Sequence, residues 1–107
     1  MNAPYYEIKV ERDPSACTVS LSGDVDYAAS LELAPQLSEI VEECDTELLL
    51  DLGDVTLIDS EGIKALMAAY VGMRDKDGEM RVINCSQSAL RVLRLVGVDD
   101  MFGVSAG

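Results

Sequence analysis

Apolar residues recur along this chain with a period of two in some stretches and of three to four in others, and each change of period marks an element. Tyr6, Ile8 and Val10 alternate with Glu7, Lys9 and Glu11, the period of a half-buried strand. Asp13-Pro14-Ser15 supplies turn chemistry, after which Cys17, Val19 and Leu21 alternate with Thr18, Ser20 and Ser22 in a second strand. The two strands predict a hairpin that closes at Gly23. From Tyr27 to Cys44 the spacing lengthens: Leu33, Leu37, Ile40 and Cys44 fall on one side of a helix, with Glu32, Glu39, Glu42 and Glu43 on the wet side. Pro35 allows two forms of this helix, one kinked between Leu31 and Pro35 and one whose regular part starts near Pro35.

Leu48-Leu49-Leu50 is a continuous apolar run ending in Asp51, the pattern of a central strand covered on both faces. A loop then leads to Ile63, Leu66, Met67 and Tyr70 at i, i+3, i+4 and i+7, which predict a helix of about sixteen residues ending before Gly78. Met80, Val82 and Ile83 predict a short strand. Ser86 or Ser88 caps a third helix, with Leu90, Leu93 and Val96 turned inward, Arg91 and Arg94 outward, and Gly97 as a left-handed terminator. Val98 to Val104 forms a tail with room for an edge strand. This order of elements implies an α/β domain whose later strands are joined by helical crossovers.

The length of 107 residues, 49% of them hydrophobic, fits one domain spanning residues 1–107. There is no apolar run of membrane-spanning length, and Met1-Asn2-Ala3-Pro4-Tyr5 lacks the basic and apolar regions of a signal peptide, so a soluble, cytoplasmic protein without a membrane partner is expected. A net charge of −12 argues against binding a nucleic-acid backbone and favours a protein or cationic partner. That charge is uneven, since residues 1–62 hold fifteen of the twenty acidic residues and only Lys9 and Arg12 as cations. Two readings stand: ordinary solvated faces, or an acidic surface that speeds encounter with a basic partner.

Histidine is absent, which excludes a Ser-His-Asp triad, a Cys-His pair and His-ligated metal. Cys17, Cys44 and Cys85 are odd in number and widely spaced, so they predict buried free thiols, with neither a disulfide framework nor a structural metal site; a redox switch is the lesser reading. No phosphate-binding glycine loop of the G-x-x-x-x-G-K-S/T kind is present, and no cofactor is expected.

The most informative stretch is Asp51-Leu52-Gly53-Asp54-Val55-Thr56-Leu57-Ile58-Asp59-Ser60-Glu61-Gly62-Ile63, which sets the Ser60 hydroxyl between two carboxylates at a strand-loop-helix junction. Open α/β sheets carry their sites at such carboxyl ends. One reading makes Ser60 the helix cap, contributing about 1 kcal/mol. The other makes it a phosphoacceptor, and Gly62 in the first turn favours this by leaving space for close approach of another backbone, such as a kinase loop. A phosphate there would gain from the helix's free N–H groups but stand beside Asp59 and Glu61, so its main effect would be added charge with little refolding. Lys64 is the nearest cation in sequence, and there is no arginine cluster to hold a phosphate.

Leu21-Ser22-Gly23-Asp24-Val25-Asp26, Leu50 to Ile63, Gly78-Glu79-Met80-Arg81-Val82-Ile83 and Val92-Leu93-Arg94-Leu95-Val96-Gly97-Val98 resemble anti-sigma factor antagonists, single-domain members of the STAS family. The resemblance implies a mixed, mostly parallel sheet of four to five strands with three to four helices, opening with a β-hairpin. It further implies a partner-switching cycle. The unmodified antagonist binds an anti-sigma factor that is also its serine kinase, phosphorylation of Ser60 ends the complex, and a serine phosphatase resets it; the chain is then no enzyme. Gly23, Asp24, Asp26, Asp59, Ser60, Glu61, Gly62 and Ile63 would form the partner face, while Asp24 and Asp26 also suit turn formation and helix capping. Glu61 departs from the family, whose members usually carry Ser or Thr there.

Three rival readings remain. STAS domains also serve as non-switching scaffold modules in regulatory or transport-associated complexes. Asp51, at the end of an apolar strand, could accept phosphate as in a receiver domain, although no acidic pair follows the first strand. Asp51, Asp54 and Asp59 could hold Mg²⁺, although no further base or substrate motif accompanies them.

Overall fold

The computed structural model describes residues 6–13 and 15–104. They form β1 (Tyr6–Arg12), β2 (Cys17–Val25), α1 (Tyr27–Glu43), β3 (Glu47–Ile58), α2 (Ser60–Asp75), β4 (Glu79–Cys85) and α3 (Gln87–Leu95). The four strands lie in the order β1-β2-β3-β4, with β1 antiparallel to β2 and the other pairs parallel. This is the expected mixed, mostly parallel α/β architecture opening with a hairpin, realised with four strands and three helices. The hairpin connection is closed by Asp13 N–H donating to Ala16 C=O at 2.8 Å. Pro14 and the Met1–Tyr5 segment lie outside the described residues.

Register places Cys17 beside Leu48 and Val19 beside Leu50, and these in turn beside Met80 and Val82. All six are buried, on the side of the sheet that meets Leu33, Leu37 and Leu66 in one core cluster. The opposite side carries Thr18, Ser20, Leu49 and Asp51, all half-buried, and the exposed Arg81. The expectation of a central strand covered on both faces is therefore corrected. Both parallel connections advance across the sheet in the same direction, and right-handed crossovers that do so put α1 and α2 on one face.

The second correction concerns β3, which does not end at Asp51 but continues to Ile58. Its register slips against β2 between Ser20 and Ser22 and again between Gly23 and Asp24; at each slip β3 contributes one residue more than β2. These are β-bulges, which lodge an extra residue without ending the strand. Gly53 sits at the first, where a side chain would collide with Asn84, 2.4 Å from an added Cβ. A stretch that reads as a loop because of Gly53 and Asp54 is thus an irregular strand.

α1 runs through Pro35 from Tyr27, so the alternative of a helix starting at Pro35 falls. Pro35 lies on the exposed side, where the carbonyl it deprives of a partner is open to water. At the far end of α1, Lys76 Nζ donates to Val41 C=O at 2.6 Å and supplies the positive charge that the helix lacks in its own last turn. α2 has the predicted sixteen residues. Ser86, not Ser88, caps α3, accepting from Ala89 N–H at 3.1 Å, and Gly97 terminates it with φ 78°. Val96 is exposed, not inward, because α3 ends at Leu95. The tail forms no strand: Val82 N–H donates to Phe102 C=O, and the fully buried Phe102 ring packs on Tyr70 at 5.7 Å.

Cys17 and Cys44 are buried and Cys85 is half-buried, all as free thiols. Burial, helped by the neighbouring Cys44, pushes the Cys17 thiol up to about 11, so it is protonated at neutral pH. No helix among the described residues is long and apolar enough to cross a membrane.

Candidate functional site

β2 and β3 are parallel and finish side by side, with Val25 paired to Ile58, so the helices that follow begin next to each other. Each junction is bridged by one aspartate. Asp26 caps α1 by accepting from Ala29 N–H at 3.0 Å. Asp59 caps α2 through Oδ1, which accepts from Glu61 N–H and Gly62 N–H, both at 3.0 Å. Its other oxygen, Oδ2, accepts from Tyr27 N–H of α1 at 3.1 Å. One carboxylate therefore ties the starts of both helices, and Asp59 N–H reaches back to Val25 C=O at 3.3 Å.

Ser60 follows the cap as the first residue of α2 and is exposed. The reading that makes Ser60 the cap is overturned: the neighbouring carboxylate accepts the N–H groups that a capping hydroxyl would have taken. The Ser60 hydroxyl engages no other described side chain. Asp59 also consumes two of the N–H groups expected to be free for a phosphate.

Gly62 is buried, and a Cβ there would lie 2.4 Å from Val25 C=O and 2.9 Å from an Ile58 side-chain carbon. The backbone that approaches Gly62 is therefore the protein's own β2, not that of a visiting kinase. Ile63 is also buried, at 7% exposure. These two residues anchor the helix start, while Asp24, Asp26, Asp59 and Glu61, half-buried, and Ser60, exposed, reach the surface. Gly23 adopts φ 85°, a left-handed conformation that only glycine takes without strain, at the second register slip. Asp24 is not a cap; its carboxylate accepts from the Thr56 hydroxyl at 2.6 Å, pinning the end of β2 to β3. Glu61 pairs with Lys64 at 3.1 Å.

Sequence reasoning missed the apolar part of this surface. Tyr27, Leu31 and Leu57 stand 59%, 60% and 47% exposed around the two helix starts. A signal existed for the first two, since both fall off the Leu33-Leu37-Ile40 stripe that α1 buries. Leu57 had none, because its exposure follows from the bulge beside it.

The rival carboxylates take other roles. Asp51 lies in mid-strand with Oδ1 accepting from Gly53 N–H at 2.9 Å, so it does not occupy the strand end a receiver-type phosphoacceptor needs. Asp51, Asp54 and Asp59 form no metal-ligating group, nor do any three acidic or cysteine side chains among the described residues.

A family model described as Mlab, STAS domain, matches residues 8–103. The anti-sigma-B factor antagonist of Bacillus subtilis (strain 168) is 22% identical over 99 residues, covering 92% of this chain and 90% of that protein. Among solved structures, an anti-sigma factor antagonist from Mycobacterium paratuberculosis superposes with a TM-score of 0.84 at 26% identity, over 100% of this chain and 92% of that one. The Bacillus cell fate determinant SpoIIAA in its phosphorylated form superposes with a TM-score of 0.71 at 16% identity, over 88% and 86% of the two chains. With the sheet order, the paired helix starts and the match over residues 8–103 in agreement, this chain belongs to the STAS domain family.

Proposed function

We propose that this protein is an anti-sigma factor antagonist whose unmodified form binds an anti-sigma factor with serine kinase activity and so frees the sigma factor. Phosphorylation of Ser60 ends the complex, and a serine phosphatase restores it. The observation that carries this reading is the Ser60 hydroxyl: exposed, at the first position of α2, and relieved of capping by Asp59. A serine so placed has no structural task and full access to a kinase. The partner face comprises Gly23, Asp24, Asp26, Asp59, Ser60 and Glu61, supported from beneath by Gly62 and Ile63. The names of the similar proteins support the same partner class.

The geometry also bears on how the switch acts. A phosphate on Ser60 carries about two negative charges. It meets the Asp59 carboxylate already bound to the first-turn N–H groups, with Glu61 beside it and Lys64 held by Glu61. Recruiting those N–H groups would mean displacing Asp59 and releasing Tyr27, so the favourable course is for the phosphate to remain in solvent. The switch then works by setting a bulky, strongly hydrated dianion where the partner must close on Ser60, with the fold unchanged.

The test incubates the protein with ATP and candidate anti-sigma factor kinases, then compares binding of Ser60→Ala and Ser60→Asp. Retained affinity in Ser60→Ala and at least tenfold weaker binding in Ser60→Asp is the expected result. Equal binding by both would remove the phosphoswitch and leave a non-switching scaffold module.

A further inference from the structure

The Ser60 surface does not stop at the helix starts. α1 and α2 lie against each other so closely that a Cβ on Gly72 would be 3.0 Å from a Val41 methyl. Between them runs a shallow groove of about 110 Å³, with Leu37 and Ala69 in its floor and Ala34, Ser38 and Ala68 at its lips. On α1 the exposed residues Tyr27, Leu31, Ala34 and Ser38 follow one another at helical spacing and lead from the Asp59 clamp into the groove. On α2, Ser60, Lys64 and Ala68 do the same, and Val71, half exposed, stands at the far end. Tyr27, Leu31 and Ala34 thus lead along α1 from the helix starts to a groove lined mainly by alanine, leucine and valine side chains.

The two banks differ in charge. α1 contains Glu32, Glu39, Glu42 and Glu43 and not one lysine or arginine. Arg12 neutralises Glu43, whereas Glu32 meets only the Tyr6 hydroxyl. Glu39 and Glu42 have no side-chain ion pair among the described residues, and a further cation set against this bank, Lys76, is held on the Val41 and Glu42 carbonyls at its far end. α2 carries Glu61, Lys64, Arg74 and Asp75 and is balanced.

We infer that this groove receives an amphipathic helix of the anti-sigma factor kinase, with its apolar face in the groove and lysine or arginine along the flank that faces α1. The identity of the partner rests on the function proposed above; the shape and charge of the occupant rest on the groove. The stretch from Tyr27 to Val41 is fifteen residues of α1, a rise of roughly 21 Å, so the occupant is a helix of about four turns. A second copy of this chain that presents the same face fits badly, because it would bring another acidic bank against that of α1. The groove gives affinity that does not depend on Ser60, and the phosphate removes the contacts at one end.

Ala68→Arg and Ala34→Arg each push a long cation into the lip of the groove from an exposed position, where the fold tolerates it. Either is expected to weaken binding of the anti-sigma factor kinase at least tenfold, with Ser60→Ala unaffected. Glu39→Lys with Glu42→Lys is expected to weaken it about threefold to tenfold at low salt and less at high salt. A probe independent of the kinase is a designed helical peptide of about sixteen residues with a leucine stripe and lysine flanks. On the intact protein it is expected to shift the amide resonances of Ala34, Ser38, Ala68 and Gly72, whereas a glutamate-flanked version does not. If Ala68→Arg binds the kinase normally while Ser60→Asp does not, the groove proposal is overturned and the switch survives. If the reverse holds, the switch reading fails and the groove stands. Equal shifts from both peptides, or a dimer that Ala68→Arg dissociates, would also overturn the assignment.

Discussion

The two neighbouring strand-to-helix junctions use the same local grammar and are loaded differently. Val25-Asp26-Tyr27-Ala28-Ala29 and Ile58-Asp59-Ser60-Glu61-Gly62 each run from a buried strand end through a capping aspartate into a helix. Asp26 holds one N–H group of its own helix, whereas Asp59 holds two of its own and one of α1. At the third helical position Ala29 fits, yet Gly62 is pressed against the Val25 carbonyl. The second junction is thus seated on the first, and its cap serves two helices. A serine can stand beside that cap with its hydroxyl unspent, because the carboxylate has taken over the structural work.

The largest expected effect breaks the asymmetry at the third position. Gly62→Ala should lower unfolding stability by about 3 kcal/mol, since the methyl group overpacks against backbone that cannot yield cheaply. Ala29→Gly in the matching place should cost about 1 kcal/mol, the ordinary helix penalty. Urea denaturation of the two variants checks the difference, and equal losses would deny the close approach.

Next come the caps. Asp59→Ala should cost about 2 kcal/mol against about 1 kcal/mol for Asp26→Ala, because it orphans N–H groups on both helices. Hydrogen exchange sharpens this point: Asp59→Ala should speed exchange at Tyr27 as well as at Glu61 and Gly62, whereas Asp26→Ala should leave α2 protected. Ser60→Ala should change stability by less than about 0.5 kcal/mol, in keeping with an exposed residue outside the cap. A loss near 1 kcal/mol would return the cap to the serine.

A smaller effect concerns charge around the first junction as well as the second. Association with the proposed anti-sigma factor kinase should slow severalfold between about 20 and 300 mM salt, because screening weakens steering by the acidic residues concentrated in positions 1–62. A flat on-rate, measured by stopped flow, would show that those charges are only solvated.

Much of this architecture was legible in the chain. Period-two alternation located β1 and β2, and period-3.6 spacing located α1 and α2, because one face of each meets the core. β3 is legible only as far as Asp51, because Gly53 and Asp54 resemble a turn when the partner strands that absorb them as a bulge are unknown. Ser60 reads as the cap of α2 by residue type, yet Asp59 beside it takes that place by accepting from Glu61 and Gly62 N–H, a choice tied to its further contacts with Val25 and Tyr27. Gly62 was recognised as a place of close approach, but the approaching carbonyl is 37 positions away in sequence and no local pattern points to it. The groove between α1 and α2 was invisible for the same reason: its lips belong to different helices.

The central claim is that Ser60 is the switch and that its modification changes charge at the surface without changing the fold. Site-resolved mass analysis after kinase treatment, with two-dimensional amide spectra of the product, tests both halves on one sample. The account predicts one phosphate, on Ser60, absent from Ser60→Ala, with resonance shifts confined to the two helix starts. A phosphate at another residue, or shifts spread through the core of the sheet, would contradict it.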